Sequence, residues 1–274
     1  MSISVFIKRH PVTIYCALAF AISWSCILIA VGPSGILGKE VVYLAGPSSL
    51  AGPSIAGILL TVLVYGRAGL RDLLSRLFRW RVGARWYAVV LLTAPILITA
   101  ILFAFSLTSP VFLPAIVTSD DKASLLLSGL VVGLVVGFFE ELGWTGFATP
   151  ELRKGYGILS TGLVMGLLWG AWHFPLFLGS AISSGALSPA LFLAVLLFSF
   201  LPPYRVLMVW VYNRTKSLLV VMLMHAPLAA SQFILHPSAL SGVPLVAYDL
   251  TFATALWVIV AVVLVTRGLR GGDE

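Results

Sequence analysis

Charge is scarce in this chain. Only 10% of its 274 residues are Asp, Glu, Lys or Arg, whereas a soluble domain carries about 25%. That is too little charge to coat a water-exposed globule. Cysteine is scarcer still, with Cys16 and Cys26 the two present. Both fall in one apolar run, where ten residues at a helical rise put them about 15 Å apart, beyond disulfide reach. There is no Cys-x-x-Cys pair and no His-Glu-x-x-His, so the common zinc signatures are missing. Low-complexity segments, repeats and a soluble domain are missing as well. The +7 net charge comes from residues set between apolar runs, not from a tail or one basic face, so nucleic acid is excluded as a partner.

Hydrophobic residues, by contrast, make up 60% of the chain. They gather into eight segments, at 11–31, 48–66, 85–106, 123–147, 158–178, 189–211, 216–235 and 248–266. Each has about the length that a bilayer crossing needs. The expected fold is all-α, a polytopic transmembrane bundle of about eight helices forming one integral membrane domain over 1–274. The run after Lys8-Arg9-His10 is too long for a signal-peptide core and reads as the first crossing. With eight alternating crossings, Lys8, Arg9, the six arginines from 67 to 85, Arg153, Lys154, Arg214, Lys216, Arg267 and Arg270 share one side. Positive residues mark the cytoplasmic side, so both termini are expected there, in the plasma membrane of a prokaryote. Between Arg67 and Arg85, arginines interleave with Leu73, Leu74, Leu77, Phe78 and Trp80. An amphipathic helix on an anionic membrane face and an ordinary basic loop both fit that pattern.

Four ionisable residues stand out against this background. Glu140 and Glu141 lie within the fourth apolar segment, His173 in the fifth and His225 in the seventh, while the aspartates are read as loop or tail residues. A carboxylate at mid-membrane costs about 2.5–3.5 kcal/mol, so an adjacent pair needs a reason. Counting from a turn at Tyr156, Glu140 lies sixteen residues back and His173 seventeen forward, which predicts a common depth. Gly129, Gly133 and Gly137 form one stripe, and Gly162, Gly166 and Gly170 another. Such stripes permit close helix contact and predict that the fourth and fifth segments pack together. His225 lies nine residues, or about 14 Å of helix, from Lys216 at the cytoplasmic edge. Pro175 and Pro227 each follow a histidine by two residues and predict bends that open a water-holding cavity.

A buried carboxylate beside an imidazole is a water-activating pair, and a second imidazole can donate to an oxyanion. Serine-protease chemistry is not indicated, because no aspartate is expected in the membrane beside a serine and a histidine. Two histidines and a glutamate could also hold zinc with one position left for water. Direct carboxylate catalysis without a cofactor is preferred.

These residues resemble the motifs of the CAAX proteases and bacteriocin-processing enzymes, a family of intramembrane proteases that includes the prenyl-protein endopeptidases. Glu140-Glu141-Leu-Gly-Trp-Thr145 resembles the first motif, Glu-Glu-x-x-x-Arg. Trp169-Gly-Ala-Trp-His173 resembles the second, an aromatic residue four before a histidine. His225, preceded by Asn213-Arg-Thr-Lys-Ser-Leu-Leu219, resembles the third, in which an asparagine often follows the histidine by four. The core of the likeness is 123–235. It implies Glu140 as base, Glu141 as supporting acid, His173 as its partner and His225 as oxyanion donor. It also implies a membrane-anchored or prenylated protein or peptide as substrate. Two positions depart from the family: Thr145 replaces the arginine that locks the carboxylates, and Ala229 replaces the asparagine. Both departures weigh toward a second reading, a weakly catalytic membrane protein acting in bacteriocin self-immunity or as a scaffold. A third is a proton-coupled transporter, although no clear pair of related halves is found.

Overall fold

A bilayer interior offers no water to backbone amides, so an apolar chain bonds them internally, as helices. The computed structural model describes residues 3–31, 49–182 and 188–266, and no strand occurs among them. A short helix α1 (Ile3–Arg9) leads into α2 (Pro11–Val31), followed by α3 (Ala51–Leu77), α4 (Ala84–Ser106) and the one-turn α5 (Ala115–Thr118). Next comes α6 (Lys122–Gly143), which continues through a π-helical turn at Trp144–Ala148 into α7 (Thr149–Arg153). The rest of the chain forms α8 (Ile158–Trp172), α9 (Phe174–Ile182), α10 (Pro189–Phe198), α11 (Leu201–Thr215), α12 (Leu218–Leu235) and α13 (Gly242–Val265).

Among the described residues, seven stretches are long and apolar enough to cross a membrane, and α8 is a shorter apolar helix. The all-α polytopic bundle is therefore as expected, except that the sixth segment is divided between α10 and α11 and that the fifth is also broken. The fifth is divided between α8 and α9 at His173, whose N–H bonds back to Ala171 and Gly170. Pro175 falls in the first turn of α9, where its missing N–H costs no helical bond. Pro227 lies inside α12 without ending it.

The glycine stripes make different pairs from those expected. A Cβ on Gly133 would stand 2.4 Å from the Ala226 carbonyl oxygen, and one on Gly137 2.8 Å from that of Met222, so this stripe carries α12 against α6. A Cβ on Gly162 would stand 2.4 Å from Val206 Cα, and one on Gly166 2.4 Å from Pro202 Cα. The second stripe therefore packs on α11. Spacing marks a face open to close approach but carries no information on which helix fills it.

The basic stretch divides between helix and loop, and one further expectation is revised. The basic stretch is helical only as far as Leu77, beyond a break at Gly66 (φ 62°, ψ −149°), and Arg79 to Gly83 lie outside helix. Leu73 is buried there, while Phe78 and Trp80 are exposed. Asp249, read as a loop residue, lies inside α13 and is buried. Its position at the edge of the last apolar segment concealed it.

Candidate active site

The two glutamates leave α6 just before the π-helical turn. Such a turn inserts a residue into the helix and re-aims the side chains around it, and it recurs at functional sites. The Thr149 hydroxyl holds the turn by donating to the Trp144 carbonyl at 2.8 Å. On the opposite side, α3 presses backbone to backbone on α6. A Cβ on Gly57 would lie 2.6 Å from Gly143 Cα, and the Ser54 hydroxyl donates to the Phe139 carbonyl. The glutamates are thus pinned from both sides of one helical turn.

Glu141 is the more tightly held. Arg205 Nη1 donates to its Oε2 at 2.8 Å, and the Thr145 hydroxyl donates to the same oxygen. His225 Nδ1 stands 2.9 Å from Oε1. A guanidinium can only donate, so Oε2 accepts from it, and opposite a carboxylate the Nδ1 of His225 is the donor. Glu141 and Arg205 are fully buried, and His225 is 2% exposed.

Glu140, 2% exposed, has a different partner. Trp169 Nε1 donates to its Oε2 at 2.7 Å. The Trp169 carbonyl in turn accepts from His173 Nδ1 at 2.8 Å, which leaves Nε2 of a neutral ring as the acceptor. The Trp169 ring meets the other groups as well. Its centroid is 5.5 Å from that of His173, 5.1 Å from that of His225 and 4.3 Å from the Arg205 guanidinium carbon. Fourth, fifth and seventh apolar segments thus bring Glu140, His173 and His225 around one indole, with Glu141 joined to them through His225. His173 is partly exposed at the break between α8 and α9.

Arg205 and Trp169 are the partners that the motifs alone do not assign. Arg205 carries the same signal as the glutamates, a charge inside an apolar segment. It lies 64 residues from Glu141 and outside any motif. Tyr204, its neighbour, donates to the Met224 carbonyl at 2.7 Å, so consecutive residues of α11 grip α6 and α12. The groove beside Pro227, about 480 Å³, is lined by apolar residues such as Pro95, Leu134, Leu223 and Ala226, with Ser231. It is not the histidine chamber that the prolines had suggested. Ala229 offers no donor, and Gln232 accepts from Tyr248 at 3.3 Å.

Comparison with known proteins adds a family. Residues 122–230 match the family described as type II CAAX prenyl endopeptidase Rce1-like. The CAAX prenyl protease 2 of Methanococcus maripaludis is 26% identical over 163 residues, which is 57% of this chain. The match spans 59% of that protein's length. Both likenesses agree with the family that the three motifs resemble.

Proposed function

We propose, with the CAAX-protease resemblance of residues 122–230 as premise, that this chain is an intramembrane endopeptidase in which a glutamate and two histidines direct water onto a peptide bond. The supporting observation is the cluster itself, Glu140 and two imidazoles gathered around Trp169 within apolar helices, with Glu141 bonded to one of those imidazoles. Glu141 has both oxygens engaged, one of them by a cation, and serves as the fixed charge. Glu140 is held by a neutral indole and serves as the base.

In the proposed reaction Glu140 takes a proton from water while His173 Nε2 accepts the other water hydrogen and fixes its position. The hydroxide oxygen attacks the peptide carbonyl carbon, and the carbonyl oxygen becomes an oxyanion. His225, as an imidazolium, bonds Glu141 through Nδ1 and offers Nε2–H to that oxyanion. The charged form suits the site, because Glu140, Glu141, Arg205 and His225 then sum to zero in a medium that penalises net charge. Glu140 next passes its proton to the amide nitrogen, the C–N bond breaks, and acid and amine products leave.

Zinc chemistry would need three converging protein ligands. Among the described residues no group of three or more His, Cys, Asp and Glu could hold a metal ion, and Glu141 is already engaged by Arg205, Thr145 and His225. These engagements support the cofactor-free reading, and no cofactor is proposed. The substrate is proposed to be a membrane-anchored or prenylated protein cut near the cytoplasmic face, with both termini of the chain on that side, in a prokaryotic plasma membrane. The immunity or scaffold reading drew on the missing motif arginine. Arg205 now supplies a cation to Glu141 and removes part of that case. Purified protein in liposomes is expected to cleave prenylated peptides faster than unprenylated ones. Absence of cleavage of either, by folded protein, would overturn the proposal.

A further inference from the structure

Position 145 holds threonine where the resembling motif carries arginine, yet Glu141 is not without a cation. Arg205 reaches it from α11 at 2.8 Å, with both side chains fully buried. Thr145 and Arg205 meet on one atom, Glu141 Oε2. The Arg205 guanidinium also lies over the Trp169 ring at 4.3 Å, a stacking that a planar cation makes and an ammonium makes less well.

We infer that Arg205 is a positioning residue that has taken over, from another helix, the charge missing at position 145, so that the two positions form a compensating pair. This rests on the peptidase reading above. Arg205 acts through Glu141: it keeps that carboxylate ionised, and the carboxylate keeps the His225 Nδ1–H pointed at it and Nε2 turned outward. It also balances charge. Without Arg205, the proposed active state would carry one uncompensated negative charge, relieved by protonating a glutamate, and a protonated Glu140 is no base.

A role confined to packing explains the contacts poorly. Among the described residues Arg205 Nε and Nη2 have no hydrogen-bond partner although both are buried. Buried donors are normally satisfied, so the site tolerates a poorly satisfied cation where a neutral side chain of similar size would pack without that cost. What the arginine supplies that such a residue cannot is the charge at Glu141.

The test uses full-length protein in liposomes, with cleavage of a membrane-anchored peptide measured for wild type, Arg205→Met, Arg205→Lys, Thr145→Arg and the double variant Arg205→Met with Thr145→Arg. Arg205→Met is expected to lower kcat about 100-fold or more with KM nearly unchanged, and Thr145→Arg alone to slow the enzyme by overcharging Glu141. The double variant is expected to be about tenfold or more faster than Arg205→Met, since the charge returns from the other side. A folded double variant no faster than Arg205→Met, or a fully active Arg205→Met, would overturn the inference. If Arg205→Met does not fold, Arg205→Lys decides: folded and partly active supports a charge role, folded and inactive overturns it. No cleavage by wild type would instead sink the peptidase reading.

Discussion

Trp169 Nε1 donates to Glu140 Oε2 over 2.7 Å, and the Trp169 carbonyl accepts from His173 Nδ1 over 2.8 Å. One residue thus orients both members of the proposed water-activating pair, which make no direct hydrogen bond in the described geometry. The aromatic position of the second motif is explained as a link between acid and base: its ring donates to one, and its backbone sets the other one helical turn on.

Trp169→Phe keeps most of the ring and removes the donor. Hydrogen bonds to charged groups contribute about 1.5–3 kcal/mol, so kcat is expected to fall about tenfold or more while the protein stays folded. Steady-state cleavage in liposomes measures this, and an unchanged kcat would show that the indole does not orient Glu140.

The two adjacent glutamates should respond differently to the same change. Glu140→Gln removes the base without breaking an ion pair. It is expected to reduce cleavage by about 10²–10⁴-fold with little change in thermal stability. Glu141→Gln leaves Arg205 buried and unpaired, and breaking a buried pair costs about 3–5 kcal/mol. A clearly lowered unfolding midpoint is expected for Glu141→Gln alone. Equal midpoints would contradict the assignment of Glu141 as the fixed charge.

Much of the bundle was legible because bilayer crossings leave a long, one-dimensional signal, and six of the expected segments return as long helices, with the sixth segment returning as the pair α10 and α11. The fifth was legible as apolar but not as broken, since Pro175 permits a helix start as readily as it forces a bend. Gathering of Glu140, Glu141, His173 and His225 followed from the cost of burying charge, which applies to any residue in an apolar run. The same rule applied to Arg205 and Asp249 would have marked both. The partner of each glycine stripe was not legible, because Gly133 and Gly162 report only that something comes close. Which helix comes close depends on the arrangement of the whole bundle.

Those stripes make a prediction of their own. Gly133→Val and Gly162→Val place a side chain where the first Cβ alone would be 2.4 Å from the Ala226 carbonyl oxygen and from Val206 Cα, respectively. Backbone cannot yield there cheaply, and overpacking costs about 1–3 kcal/mol or more. Both variants are expected to express poorly or aggregate on extraction. Gly155→Ala, which meets nothing within 4 Å, is the matched control and is expected to behave as wild type by size-exclusion chromatography.

Metal dependence is checked on active protein. Elemental analysis is expected to show no stoichiometric zinc, and prolonged treatment with a strong chelator is expected to leave cleavage unchanged, because Glu141 and His225 are committed to each other at 2.9 Å. Stoichiometric zinc together with activity lost to chelator and restored by zinc would reverse the cofactor-free proposal.

His236 gives a pH-dependent prediction away from the site. It caps the end of α12, with its ring edge-on to Tyr248 at 6.0 Å. Burial disfavours its charged form and holds its pKa below the usual histidine value, although a backbone bond to Pro237 opposes the shift. An unfolded histidine titrates near about 6.5, so above that pH both states are neutral and the contribution to stability is complete. As pH falls through and below about 6.5, the unfolded chain takes up a proton that the folded chain resists, and stability is lost until pH passes the lowered folded value. The unfolding midpoint in detergent is therefore expected to drop between about pH 7 and pH 5, and to drop less in His236→Asn. The difference between the wild-type and His236→Asn curves isolates His236. Parallel curves for wild type and His236→Asn would refute the assignment of that pH dependence to His236.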